Sequence, residues 1–154
     1  MPRSPSLVGR RPAKSVGLCL REFKSHPRRH NFCDNMMKLV KRDQAISRKV
    51  TDNYTVLQML TGKDSDKLSM VISKATDHRE IALNTKSDRL YYILNGTVKV
   101  RSDGKEILAE KGDLVFLSSN TKYEFEGTFE AVQVMSPSFD PKNEPLDVNG
   151  NPKE

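Results

Sequence analysis

Arg89-Leu-Tyr-Tyr-Ile-Leu94, Asn95-Gly96 and Thr97-Val-Lys-Val-Arg101 are followed by Asp103-Gly104, Glu106-Ile-Leu-Ala-Glu110 and Gly112-Asp-Leu-Val-Phe-Leu117. Apolar and β-branched residues alternate with polar ones, and an Asn-Gly or Asp-Gly pair interrupts them at hairpin spacing. That is the signature of short antiparallel strands. The pattern extends outward in both directions. Tyr54–Leu60, Leu68–Ser73 and His78–Leu83 read as strands before it. Lys122–Glu126 and Phe129–Met135 read as strands after it, with Gly127 as a break between them. About nine strands with turn signals every 8–12 residues predict a β-sandwich or barrel. Each glycine of this region is expected at a turn. One helical turn is expected from Asp43, as N-cap, through Ala45 and Ile46.

Charge and proline divide the chain. Residues 1–35 carry eight Lys/Arg against Glu22 and Asp34, which accounts for the whole net charge of +6. Prolines fall at 2, 5, 12 and 27, then at 137, 141, 145 and 152. Proline is excluded from central strands, so the Pro-free stretch marks the compact body. The expected organisation is a basic, disordered extension over 1–36, one domain over 37–140 and a flexible tail over 141–154. The body has no basic bias, which disfavours nucleic acid as a partner. The extension also fits a targeting segment or a basic arm. Met36-Met37 offers an alternative start. His26, His30 and Cys33 are an incomplete metal set. No apolar run is long enough for a membrane helix, and two cysteines cannot build a disulfide framework. A cytoplasmic location is therefore expected.

Tyr92-Ile-Leu-Asn-Gly96 and Gly112-Asp-Leu-Val-Phe-Leu117, 15 residues apart, resemble the two motifs of a small cupin, the double-stranded β-helix jelly roll. The exit Ser136-Pro-Ser-Phe-Asp-Pro141 adds to the resemblance, which spans 54–141. The resemblance implies an all-β cupin barrel. In metal-dependent cupins the first motif carries two His and a Glu, and the second a His. Here the Glu position falls at Arg89, the His positions at Leu83 and Thr85 (or Ala82 and Asn84), and the last His position at Tyr123. No metal and no other cofactor is therefore expected.

In a cupin these positions face the interior. Alternation then points Arg89, Tyr91 and Ile93 inward with Tyr123 and Phe125. Arg89, Tyr91, Tyr123, Thr85 and Phe125 are the expected ligand-binding residues. A buried guanidinium needs an acceptor and matches carboxylate or phosphate, so a small anionic ligand is expected. The bland alternative pairs Arg89 with Asp88, Glu124 or Glu126. An Arg89 directed to bulk solvent, away from Tyr123, would exclude the anion site. The second reading is a metal-independent sugar or keto-acid isomerase or epimerase. It would use Tyr91 or Tyr123 with His78, which is expected at the surface near a barrel end, or with Glu110, Glu124 or Glu126. The third is a structural dimerisation module. Leu90, Tyr92 and Leu94 form the opposite face, which needs cover either from a second copy, giving a homodimer, or from residues 38–60.

Overall fold

A computed structural model describes residues 37–153. The extension over 1–36, with His26, His30 and Cys33, lies outside the described residues. Seven strands form one sheet: β1 (Ile46–Thr51), β2 (Tyr54–Leu60), β3 (Ser69–Leu83), β4 (Asp88–Ser102), β5 (Lys105–Glu110), β6 (Leu114–Leu117) and β7 (Lys122–Ser136). The spatial order is β1-β2-β3-β7-β4-β5, with β6 beside the first half of β4. All strand pairs are antiparallel. The all-β fold expected from the alternation is observed, and it is cupin-like, as the resemblance implies.

The expected strand count changes because three strands run through positions that read as turns. Asn95-Gly96 is a bulge inside β4, where the register against β7 slips between Ile93 and Asn95. A matching slip in β3 lies between Ala75 and His78. Each bulge inserts one residue and changes which alternate side chains face inward. In β3 the buried set runs Ser69, Ser73, Ala75 and then His78 and Ala82; in β4 it runs Arg89, Tyr91, Ile93 and then Val98 and Val100.

Gly96 and Gly127 explain the bend between the halves. Gly96 has φ +78°, and a Cβ there would meet the Thr128 carbonyl oxygen and, at 2.9 Å, Phe129 Cα. A Cβ at Gly127 would meet the Thr97 oxygen and, at 3.1 Å, Val98 Cα. The two backbones approach too closely for any side chain. At Asp103-Gly104 the hairpin reading holds, since both residues have positive φ, as the tight β4–β5 turn requires.

The core is one cluster that includes Tyr91, Ile93, Val98, Val100, Tyr123, Phe125 and Phe129. Phe125 packs edge-on to Tyr91 and Tyr123, with ring centroids 4.6 and 5.1 Å away.

Two expectations about the ends of the body are corrected. The turn near Asp43 is a 3₁₀ turn over Arg42–Gln44, preceded by Lys41 without a side-chain cap, and Ile46 already begins β1. Residues 141–153 are not a free tail. A 3₁₀ turn over Pro141–Asn143 is capped by the Asp140 side chain. Beyond it, Ile81 N donates to Val148 O and Thr85 N to Asn143 O, each at 3.0 Å. The prolines end β7, and the chain then lies along β3.

The two halves of the sheet differ on their outer faces. On one half, Arg101 bonds to Glu106, Glu124 and Glu126, and Arg79 to Glu124. On the other, Phe116, Leu90, Val134 and Met70 form one cross-strand row, and Leu114, Tyr92, Val132, Ile72 and Leu57 form the next. Residues 46–60 extend this sheet at its edge rather than cover it. Leu114 and Phe116 remain more than half exposed.

Candidate functional site

β1, β2, β3, β4, β7 and the C-terminal segment line a cavity of about 450 Å³, within the range of small-molecule sites. Its wall is mostly apolar, with Val56, Val71, Ala82 and Met135 among its residues. The polar groups on it include Arg89, Glu144, Tyr91, Gln133 and Glu80.

Arg89 is buried, 5% exposed, as the alternation of β4 predicts. Its two terminal nitrogens are committed: Nη1 donates to the Tyr123 hydroxyl and Nη2 to Glu144 Oε1. Its Nε is buried without a partner. Asp88, Glu124 and Glu126, the acids expected to neutralise Arg89, bond elsewhere. Asp88 accepts from Ser119 N, and the two glutamates accept from Arg101. The neutralising carboxylate is Glu144, delivered by the segment that reads as a tail. Glu144 also accepts from Asn84 Nδ2.

Burial disfavours the charged guanidinium, but the oxygens of Tyr91 and Tyr123 and the Glu80 carboxylate outweigh it and raise the pKa above the ordinary arginine value. The phenols respond in the other direction. Burial, reinforced by Tyr91, pushes Tyr123 well up, and burial pushes Tyr91 up although Arg89 pulls against it. Both are neutral donors at physiological pH. Their hydroxyls are 3.4 Å apart.

Arg89 and Tyr91 line the cavity. Tyr123 stands behind Arg89, its ring centroid 5.7 Å from the guanidinium carbon. Phe125 packs beneath the tyrosines and supports them. Thr85 is a correction: it is exposed, one residue into the turn after β3, and both its N and its Oγ1 bond to Asn143 O. Asn84 closes that turn by accepting from Lys86 N and Ser87 N. His78 is another correction. It is buried rather than at the surface, stacked on Tyr54 with centroids 4.6 Å apart. The β3 bulge turns it inward, and only the broken alternation at Thr76-Asp77 marks that in the sequence.

Glu80, Gln133 and Glu144 are polar cavity residues that sequence reasoning missed. Glu80 shares the inward face with His78, so placing the bulge would have found it. Glu144 lies between two prolines and carries no local signal.

The classical cupin metal set does not fit here. Arg89 puts a fixed cation where an acidic ligand would stand, and Tyr123 replaces an imidazole. Among the described residues no three His, Cys, Asp or Glu side chains converge to hold an ion. No helix among them is long and apolar enough to cross a membrane.

A bent antiparallel barrel with its polar groups clustered on the inner face defines a cupin-type domain. The model of the family described as ethanolamine utilisation protein EutQ matches residues 31–138, and the chain belongs to that family. No curated protein matches significantly. Three solved structures are similar at low identity. Pac13, described as a nucleoside dehydratase, aligns with a TM-score of 0.63 and 17% identity over 71% of this chain and 89% of its own. Variants of that Streptomyces protein are described with uridine. KdgF from Halomonas sp. aligns with a TM-score of 0.62 and 14% identity over 70% of this chain and 99% of its own. EutQ from Clostridium difficile aligns with a TM-score of 0.52 and 18% identity over 66% of this chain and 75% of its own. At these identities the likeness is one of fold.

Proposed function

We propose that this barrel is a metal-free site for a small anionic molecule, whose carboxylate or phosphate takes the place on Arg89 that Glu144 occupies. One observation carries the reading. A guanidinium buried at the wall of a roomy cavity holds a carboxylate from its own chain, with Nε still unpartnered. The geometry that accepts Glu144 accepts any small carboxylate that can displace it. Tyr91 supplies a neutral donor beside it. Binding or sensing, rather than turnover, needs nothing further. The two cysteines of the chain favour a cytoplasmic site of action.

The isomerase reading has one observation in its favour. Glu80, a carboxylate without an arginine or lysine partner among the described residues, lines the same cavity as Arg89 and Tyr91. Dimerisation accompanies either reading rather than competing with it, since the apolar outer face lies opposite the cavity-facing side chains. We propose a homodimer through that face. Calorimetric titration with small carboxylates and phosphate monoesters tests the site. Heat with the native protein and none with Arg89→Met is expected, whereas equal heats would place the ligand elsewhere.

A further inference from the structure

His78 and Glu80 form a pair that anion binding at Arg89 leaves without a chemical role, although Glu80 lines the same cavity. His78 Nδ1 lies 3.0 Å from Asn53 Oδ1, and its Nε2 lies 3.2 Å from Glu80 Oε2. Both contacts look like acceptors, and the surroundings decide whether that is so. Asn53 Nδ2 donates to Asp77 O at 2.8 Å, and Asn53 Oδ1 also accepts from Thr51 Oγ1 at 2.8 Å. Turning the amide over would set its oxygen against the Asp77 carbonyl. Asn53 therefore presents an oxygen to the ring, and Nδ1 carries a hydrogen.

The bulge enforces this. Asp77 has φ +47°, a left-handed conformation, and its N donates to Thr128 Oγ1 at 2.8 Å. That conformation aims its carbonyl at Asn53. Strained residues of this kind gather at functional sites. With Nδ1 committed, Nε2 faces a carboxylate. Two acceptors facing each other across 3.2 Å would repel, so one proton must lie between them.

The groups around the ring are Thr51 at the end of β1, Asn53 from the β1–β2 turn, Tyr54 from β2, stacked on one face, Asp77 and Glu80 from β3, and Gly127 opposite on β7. Among them only Glu80 offers a carboxylate to the ring. The side chain of His78 is 4% exposed and that of Glu80 22%. The proton is thus held on the protein side, and the carboxylate looks into the cavity.

We infer that Glu80 is an acid–base group on the cavity wall, oriented and charge-balanced by His78, and that its substrate class is a small 2-keto acid. This rests on the reading of Arg89 as the anion anchor. Arg89 holds the carboxylate, and Glu80, on the same wall, takes a proton from the carbon beside the keto group. The C–H bond breaks, its electron pair moves to the keto oxygen as an enolate, and the O–H bond forms on Glu80. Returning the proton to carbon restores the keto acid with no co-reactant. Glu80 is the catalytic residue and His78 a positioning residue.

Two measurements test it. Nitrogen-15 NMR of the ligand-free protein at pH 7 should show both His78 ring nitrogens protonated, and Glu80→Gln should leave Nε2 bare. A ring with bare Nε2 in the native protein, unchanged by Glu80→Gln, overturns the proton-sharing pair. Pyruvate in D2O is the second probe. Deuterium should enter its methyl group with the native protein, and exchange should fall roughly 10²-fold or more in Glu80→Gln. In that variant saturation transfer should still show pyruvate bound. Pyruvate bound without exchange overturns the catalytic role. No binding overturns the Arg89 anchor and the keto-acid class with it, while the nitrogen shifts still decide the pair.

Discussion

Arg89 on β4 and Glu144, 55 residues further along the chain, form an ion pair inside the barrel. Their side chains are 6% and 11% exposed. The pair fastens the C-terminal segment over the cavity and serves as a latch; in the proposed function it also competes with an anionic ligand for Arg89.

Removing one partner of a buried pair leaves an uncompensated charge, which costs roughly 3–5 kcal/mol. The two halves of this pair are not equivalent. Arg89 is fixed in the middle of the sheet, whereas Glu144 lies on a terminal segment outside the named strands. Glu144→Gln should therefore lose about 3 kcal/mol in urea denaturation, and Arg89→Met should lose less. Arg89→Met should also speed amide hydrogen exchange at Ile81 and Thr85, whose N–H groups bond to Val148 and Asn143. Unchanged exchange there would show that the segment is held by other contacts.

Tyr54, Tyr91 and Tyr123 have their phenol pKa values raised, in each case chiefly by burial. The unfolded chain releases these protons near pH 10. The folded state keeps them. Stability is therefore intact below about pH 10 and is lost as the pH rises toward the folded values. In an alkaline titration followed by tyrosine absorbance, ionisation of three of the chain's four tyrosines should coincide with loss of β circular dichroism. Ionisation of these three before unfolding would contradict their burial.

Gly96 and Gly104 have similar φ values, +78° and +73°, but different surroundings. A Cβ at Gly104 meets nothing within 4 Å, while one at Gly96 runs into β7. Gly104→Ala should cost about 1–2 kcal/mol, the left-handed penalty alone. Gly96→Ala should cost at least about 3 kcal/mol, since backbone must also move. Equal losses in thermal unfolding would show that the bend does not depend on the close approach.

The apolar outer face gives a prediction about assembly. Analytical ultracentrifugation should find a dimer, and Phe116→Glu should give a folded monomer, because Phe116 is 59% exposed in the single chain. A native monomer would mean that the face serves another purpose.

Much of the fold was legible because strand alternation is local. The cupin resemblance, counted back from Gly96 and forward from Gly112, set Arg89 and Tyr123 facing inward, and alternation added Tyr91 and Phe125. The bulges were not legible, because an Asn-Gly pair in a bulge looks like one in a hairpin. Only the close approach of β7, a distant strand, separates the two. The same ambiguity hid the inward turn at His78 and Glu80. Thr85 failed because it came from counting along the cupin motif rather than from the strand reading, which ended at Leu83; Asn84 closes a turn there and leaves Thr85 exposed. Glu144 was invisible for another reason. Its role depends on an ion pair across half the domain, and the prolines around it read as the end of structure.

The anion site is tested most directly by a thermal-shift titration of the native protein, Glu144→Gln and Arg89→Met with one panel of small carboxylates and phosphate monoesters. A ligand that binds only the folded state at 100 times its Kd stabilises by about 2.7 kcal/mol. A hit should raise the native midpoint, raise that of Glu144→Gln further at equal concentration, and leave Arg89→Met unmoved. The same shift in all three proteins would contradict an anion site on Arg89 guarded by Glu144.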